Sequence, residues 1–445
     1  LMDAVEAGYT LKRVVKGTEL EGIVYENPLR KNLNLKESEV KNGFRVILSD
    51  RYVNLEEGTG LVHTAPGHGK EDFDAGTKAN LPVVSPINMN GELTEQAGKY
   101  SGKVARIVDE EIVSDLEKDG FLVYKHDYTH DYPVCWRCES PLLMFSVPQW
   151  FFKISGIQKR MLKLNEEVKW VPGWGRDRFR NWLESIGDWP ISRARYWGTP
   201  IPIWICESCN EKLIIGSIDE LKKHTSVSKN IDLHKPDIDE VKIKCKKCKG
   251  TMSRVLDVLD VWFDSRVCTW GSLGYPKKKD LFEKFWPADV NIEGTDQIRG
   301  WWNSQLITST ICFDKKPFDV IVMHGMLAIG KVKMSKSLGN VVQPFEVIEK
   351  YNRDYLRFFL ASVLKGEDIE FDWNAFKDIH RFFNIFWNAY NFANMYLELE
   401  VDGKGKQTLN VEDKWILSRL NSLTEGVVQN YNNYTYPKII SLVEE

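Results

Sequence analysis

Residues 331–340 read KVKMSKSLGN, and Lys333-Met334-Ser335-Lys336-Ser337 places two ammonium groups and two hydroxyls on five residues just before Leu338 and Gly339. Two lysines on a short segment closed by glycine can move as a unit and set their charges against a polyphosphate, lowering the cost of charge that builds on a leaving pyrophosphate. Pro344 suits the first turn of a following helix. An arbitrary Lys-x-x-Lys is most often a solvated basic loop. The full Lys-Met-Ser-Lys-Ser-x-Gly-Asn string is far more specific.

Outward from this loop, the apolar run FDVIVMHGML at 318–327 alternates with helical segments, the pattern of a parallel α/β sheet. Beyond about 375, Ile379, Phe382, Phe383, Phe386, Tyr390 and Ala393 recur at helical spacing. Ile416, Leu420, Leu423 and Val427 do so again, which predicts an all-helical tail. Upstream, residues 20–100 alternate with period two, as in Phe44, Val46 and Leu48, with glycine-rich turns between, and predict a β-rich domain. The helical stretch DEEIVSDLEKDG is an exception there, and ends on Gly120. Residues 131–200 carry Trp136, Trp150, Trp170, Trp174, Trp182, Trp189 and Trp197, better explained by a core than by a substrate surface.

The bulk properties bound the function. At 445 residues the chain suggests two to four domains, and a formal net charge of -3 excludes a global basic field, so any RNA contact must be local. No window approaches the roughly 18 apolar residues of a membrane span, and no signal-peptide pattern opens the chain. A cytosolic location is expected. Six of the 8 cysteines form three Cys-x-x-Cys pairs, which in a reducing compartment read as metal ligation before disulfide. Leu1 is no initiator and Glu445 stops inside an apolar helical pattern, so a chain cut at both ends is expected, with a start at Met2 the alternative.

Three further stretches carry chemistry. In EGTDQIRGWW, Glu293 and Asp296 can accept from ribose hydroxyls beside a glycine that admits a ligand; a helix-capping turn is the equal local reading. In HTAPGHGKED a phosphate-binding P-loop fails, because Thr64 stands where glycine is needed and Glu71 follows Lys70. A metal site from His63, His68, Glu71 and Asp72 lacks the His-Glu-x-x-His spacing. Cys206/Cys209 and Cys245/Cys248 can supply four thiolates to a closed, structural zinc site, four reduced surface thiols being the alternative. Cys135 and Cys138 have no second pair in the chain. Cys268 and Cys312 are expected as small buried hydrophobes.

Taken together, KMSKSLGN, GTGLVHTAPGHGKEDF, DWPISRARYWGTPIPIW, LDVWFDS, EGTDQIRGWW and DKWILSRL resemble the class I aminoacyl-tRNA synthetases, in an order that fits the isoleucine-specific members. The resemblance covers essentially the whole chain. It implies a Rossmann-like catalytic domain that makes aminoacyl-adenylate from amino acid and ATP with Mg2+, then passes the aminoacyl group to the tRNA 3′-end. Lys333 and Lys336 would stabilise the triphosphate, Lys336 foremost. Glu293, Gly294, Asp296 and Gln297 would contact the adenylate, and Trp262 and Trp301 would wall the amino-acid pocket. The family's His-Ile-Gly-His type segment is not in this sequence and is expected upstream of Leu1, so the chain itself is expected not to activate isoleucine. One departure stands out: family members usually have glycine after DVWFDS, where this chain has Arg266.

The resemblance also implies a second, hydrolytic site. One methylene is worth only about 1 to 3 kcal/mol of discrimination, isoleucine against valine being the standard illustration. His63 would orient the ester or its water and Asp72 would bind the α-ammonium of misattached valine. The implied domains are editing at 1–130, return to the catalytic domain at 131–204, a zinc insert at 205–255, the second half of the Rossmann-like domain at 256–375 and the start of an anticodon-binding bundle at 376–445. Cys135 and Cys138 would be half of a second zinc site. The implied partners are tRNA(Ile), isoleucine and ATP, with no membrane and a monomeric parent. The rival readings are a valine or leucine enzyme, a trans-acting deacylase using His63 and Asp72, and a zinc-bearing RNA-binding module.

Overall fold

The computed structural model describes residues 8–54, 59–135, 138–228, 230–329, 332–334, 341–397 and 408–445. The chain divides into two compact units, Leu1–Pro148 and Gln149–Glu445. Among the described residues no helix is long and apolar enough to cross a membrane.

The first unit holds helices Lys70–Lys78 and Asp109–Lys118. The second of these stops as the sequence predicts: Gly120 takes φ +74, and the N–H groups of Phe121 and Gly120 close on the carbonyls of Leu116 and Glu117 at 2.9 and 3.0 Å. A small core forms from Ala97, Tyr100 and Val108, with Leu33, Leu93 and Ile112 against it. The Tyr100 hydroxyl donates to Asp115 Oδ2 at 2.6 Å, and Lys99 pairs with the same carboxylate. The predicted β-richness takes a reduced form. Among the described residues of this unit the ladders are isolated bridges, such as Val24 with Arg45. Asn42 and Phe44 adopt positive φ of 66 and 52, which breaks the extended backbone at the start of the run that Phe44, Val46 and Leu48 suggested.

In the second unit the apolar run becomes strand Phe318–His324, central between Ala288–Gly294 and Lys169–Val171, with both pairings parallel. Helix Trp301–Phe313 connects the first two of these strands and is buried nearly all round. Its Trp302, Leu306 and Ile307 join Ile154, Met161, Phe179, Leu183, Phe318 and Ile321 in one core, each fully buried apolar side chain contributing roughly 1.5–3 kcal/mol. Trp302 Nε1 donates to Asn291 Oδ1 of the neighbouring strand at 3.1 Å, so the indole is buried with its polar atom satisfied.

A separate four-stranded antiparallel sheet runs in the order Lys212–Ile214, Ile203–Cys206, Thr251–Arg254, Ile243–Lys244. Trp204, Ile215, Leu221, Ile238, Ile243 and Met252 form its core together with Cys206 and Cys245. Next to the basic loop, strand Leu327–Ile329 pairs with Val332–Lys333 and Ile369–Glu370. Pro344 opens helix Pro344–Lys350 at its first turn, as predicted. The tail is helical: Ala375–Tyr396, Val411–Asn432 and Tyr436–Glu444. Only the start of its apolar stripe is covered, since Phe376 and Ile379 are buried whereas Phe386 and Tyr390 are exposed.

Candidate active site and metal centre

In an open parallel sheet, ligands gather beyond the carboxyl ends of the strands. Strand Ala288–Gly294 ends there on Glu293 and Gly294, with Gly294 in register with His324. A Cβ on Gly294 would stand 2.7 Å from Asp296 Oδ1, so any other residue here would push that carboxylate from its place. Asp296 and Gln297 lie in the single 3-10 turn Thr295–Ile298. Gln297 donates to Asp296 Oδ2 at 3.1 Å, and its Oε1 accepts the Trp301 N–H at 2.8 Å, capping the Trp301–Phe313 helix.

The two tryptophans meet at this corner. Trp301 donates its indole N–H to the Ser265 carbonyl at 3.0 Å. Trp262 Cη2 lies 3.5 Å from where a Cβ on Gly300 would stand. Trp262 is 41% exposed, open enough to face a ligand. Glu293, Gly294, Asp296, Gln297, Trp262 and Trp301 therefore share one place. Strand Val332–Lys333 pairs Lys333 with Ala328, and Met334 packs against the cluster of Val347 and Phe359. Lys336 lies outside the described residues, as does the Lys333 side chain.

Sequence reasoning missed what holds the corner. Asp260, 3% exposed, caps helix Val261–Gly271 by accepting the Trp262 N–H at 3.1 Å. Its Oδ2 accepts from Arg193 Nη2 at 2.7 Å and from Trp189 Nε1 at 3.3 Å. One buried carboxylate thus ties the DWPISR segment to LDVWFDS. Beside it opens a cleft of about 500 Å³ lined by Arg193, Arg195, Trp197, His234, Asp260 and Trp262. Trp197 is 68% exposed and stacks one face on His234 at 4.6 Å, leaving a flat apolar platform.

Arg266 is fully buried on the same helix. Burial pulls its guanidinium down to about 8, against the opposing pull of Asp260 and Asp264. Cys268, two residues on, is exposed rather than buried as expected, because the helix turns Arg266 and Trp270 inward and so carries position 268 outward. Cys312 is likewise exposed, in the last turn of the Trp301–Phe313 helix, past the buried stretch that ends at Thr310.

The four cysteines 206, 209, 245 and 248 converge with all sulfurs within 4.8 Å of one another. Cys206 and Cys248 are 3.4 Å apart, and Cys209 and Cys245 3.8 Å. Tetrahedral zinc with bonds of about 2.3 Å needs sulfurs roughly 3.8 Å apart, so the donor set fits Zn2+. Burial pushes the Cys206 thiol up, but the backbone N–H groups of Ser208 and Cys209 and the neighbouring sulfurs outweigh it and bring it down to about 7. Cys209 is pulled down by the Glu211 backbone, yet the adjacent thiols and burial carry it up to about 12. Four sulfurs this close cannot all ionise without a cation among them.

Each pair folds as the same turn. Asn210 and Lys249 donate to the Cys206 and Cys245 carbonyls, both at 3.0 Å, and the two cysteine N–H groups reach Glu211 and Gly250. The left-handed residue is Asn210 in one and Lys249 in the other, not Gly250. Gly250 serves close approach instead: a Cβ there would stand 2.7 Å from Ser208 Oγ and 3.3 Å from Cys206 Sγ. Cys135 and Cys138 make a third copy, with Glu139 N–H on the Cys135 carbonyl and Cys135 N–H on Ser140, both at 2.8 Å, and Glu139 at φ 58. Ser140 holds the Cys138 thiol below its ordinary range.

In the first unit, Asp72 sits in the first turn of helix Lys70–Lys78 and accepts the Ala65 N–H at 3.1 Å. This bond folds the segment after His63 back onto the helix. His63 is exposed. His68 turns away, its Nδ1 3.1 Å from the Met144 carbonyl. Among the described residues, His63, His68, Glu71 and Asp72 do not gather as metal ligands.

A family model described as tRNA synthetases class I (I, L, M and V) matches residues 15–372. A curated isoleucine–tRNA ligase from Methanothermobacter thermautotrophicus is 46% identical over 96% of this chain and 42% of its own length. Another, from Methanocaldococcus jannaschii, is 44% identical over 96% of this chain and 42% of its own. The chain thus spans about two fifths of the length of the curated relatives it matches. A solved methionyl-tRNA synthetase from Mycobacterium tuberculosis aligns with 70% of this chain and 52% of that one, at 19% identity and TM-score 0.45.

Proposed function

Because the chain belongs to the class I tRNA synthetases of the I, L, M and V group, we propose that it serves the ATP-dependent attachment of isoleucine to tRNA(Ile) through isoleucyl-adenylate. The observation that carries this reading is the corner at the end of strand Ala288–Gly294, where Glu293, Gly294, Asp296 and Gln297 adjoin Trp262 and Trp301. The isoleucine carboxylate attacks the α-phosphate of ATP, so the protein's task is position and countercharge, with no covalent intermediate. The carboxylates of Glu293 and Asp296 suit the ribose hydroxyls, the two indoles bound the branched side chain, and Lys333 and Lys336 answer the triphosphate with its Mg2+. The tRNA 3′-end must then bring its ribose hydroxyl to the activated carbonyl. The cleft that shares Trp262 and offers the Trp197 platform suits a stacked terminal base.

Zn2+ bound by Cys206, Cys209, Cys245 and Cys248 would be structural, closing the 205–255 insert with no open position for water. Cys135 and Cys138, already in the same turn, would be half of a second such site. In the first unit His63 and Asp72 would serve hydrolysis of misattached valine, in an editing domain at 1–130. Residues 131–204 and 256–375 would then build the catalytic domain and 376–445 begin the anticodon-binding bundle. A monomeric, cytoplasmic enzyme is the matching context.

The test is amino-acid-dependent pyrophosphate exchange by the complete gene product. Exchange with isoleucine well above that with leucine or methionine supports the reading. Exchange led by valine or leucine, or none with any of the four, refutes it.

A further inference from the structure

Arg266 directly follows DVWFDS, and its side chain is wholly buried. Its Nη1 and Nη2 have no hydrogen-bond partner among the described residues. Its Nε–H donates to the Trp262 carbonyl. The guanidinium carbon lies 3.2 Å from the centroid of the Trp189 ring, and 5.7 Å from that of Phe263. Its chain neighbour Ser265 supplies the carbonyl that holds the Trp301 indole N–H. One turn of helix therefore joins both indoles of the amino-acid corner, and Arg266 grips that turn from beneath.

Stability does not account for this arrangement. A buried cation with two open donors is costly, and replacing buried charge by hydrocarbon of similar volume is often neutral or stabilising. The contribution must be sought in geometry. A planar guanidinium can stack on an indole and donate in its own plane at once, which an ammonium cannot do.

We propose that Arg266 is a positioning residue for amino-acid selection: stacked on Trp189 and tied to the Trp262 carbonyl, it sets the gap between Trp262 and Trp301. The inference rests on the reading that these two rings bound the pocket for a branched aliphatic side chain. A gap held at fixed width rewards the extra methylene of isoleucine. A relaxed gap loses that contact while leaving the shorter valine nearly unaffected.

The experiment is pyrophosphate exchange with isoleucine and with valine by the complete gene product carrying Arg266→Met, Arg266→Lys or Arg266→Gly, alongside thermal unfolding of each. Arg266→Met is expected to unfold at no lower temperature than the parent, while KM for isoleucine rises about tenfold, KM for valine changes less than about threefold and kcat holds. Arg266→Lys recovers only part of the selectivity, since the ammonium cannot stack and donate together. Equal changes for both amino acids, or none, in Arg266→Met overturn the proposal even if Arg266→Gly fails to fold. A lowered unfolding temperature with intact selectivity overturns it too, leaving Arg266 a structural role. If the parent exchanges with neither amino acid, the pocket reading itself fails and this inference with it.

Discussion

Replacing Asp260 by asparagine keeps the shape of the side chain and removes only its charge. Oδ1 of the amide can still cap the Trp262 N–H, but the NH2 group then faces two donors, Arg193 Nη2 and Trp189 Nε1, which the carboxylate holds at 2.7 and 3.3 Å. Breaking one partner of a buried ion pair costs about 3–5 kcal/mol. The Arg193 side chain is 32% exposed against 5% for Asp260, so water recovers part of the arginine's solvation. The expected loss is therefore about 2–3 kcal/mol, below the figure for a fully buried pair. Equilibrium urea unfolding of the Gln149–Glu445 unit, followed by tryptophan emission, measures it. The double variant Asp260→Asn with Arg193→Met should be less destabilised than the sum of the single changes by at least about 1 kcal/mol, because the stranded cation is gone. Additive effects, or a loss under about 0.5 kcal/mol for Asp260→Asn alone, would show that the carboxylate does not bind the two segments together.

Two further outcomes are expected. Stripping metal with a chelator should raise amide hydrogen exchange across strands Ile203–Cys206, Ile243–Lys244 and Thr251–Arg254 while sparing helix Trp301–Phe313, since structural zinc sites supply folding free energy directly; unchanged exchange in those strands would count against a bound ion. In the first unit, burial and then the Asp115 hydrogen bond raise the Tyr100 phenol from 10.0 to about 12. That stability is fully present below pH 10 and is lost as pH rises through about 12. Tyr100→Phe should flatten the decline in a pH series of thermal midpoints, and a variant as steep as the parent would refute the assignment.

The parallel sheet was legible because a strand covered on both faces reads as a near-continuous apolar run, which FDVIVMHGML carries through Val320, Ile321, Val322 and Met323. Gly120 and Pro344 were equally plain, for each satisfies a local backbone demand that few residues meet. The corner residues were visible only as strings. What assembles them is Asp260 with Arg193, 67 positions apart, and no local pattern couples residues at that distance. The Trp197–His234 stack joins two segments in the same way. The β-rich expectation was met only in reduced form, for another reason: period-two alternation describes side chains, whereas a strand needs an unbroken extended backbone, and positive φ at Asn42 and Phe44 interrupts it at the head of the 44–48 run. Cys268 and Cys312 were misjudged because residue type alone ignored which way each helix faces.

Among their described residues, the three cysteine turns share two peptide hydrogen bonds and one left-handed residue. Between their cysteines stand Glu-Ser, Lys-Lys and Trp-Arg, which differ in charge and size. Two peptide hydrogen bonds and one left-handed residue define the turn, so a metal ion would be offered a ready bidentate claw. Such a claw is modular. Its definition leaves the two inner positions free to vary, and the chain uses it three times.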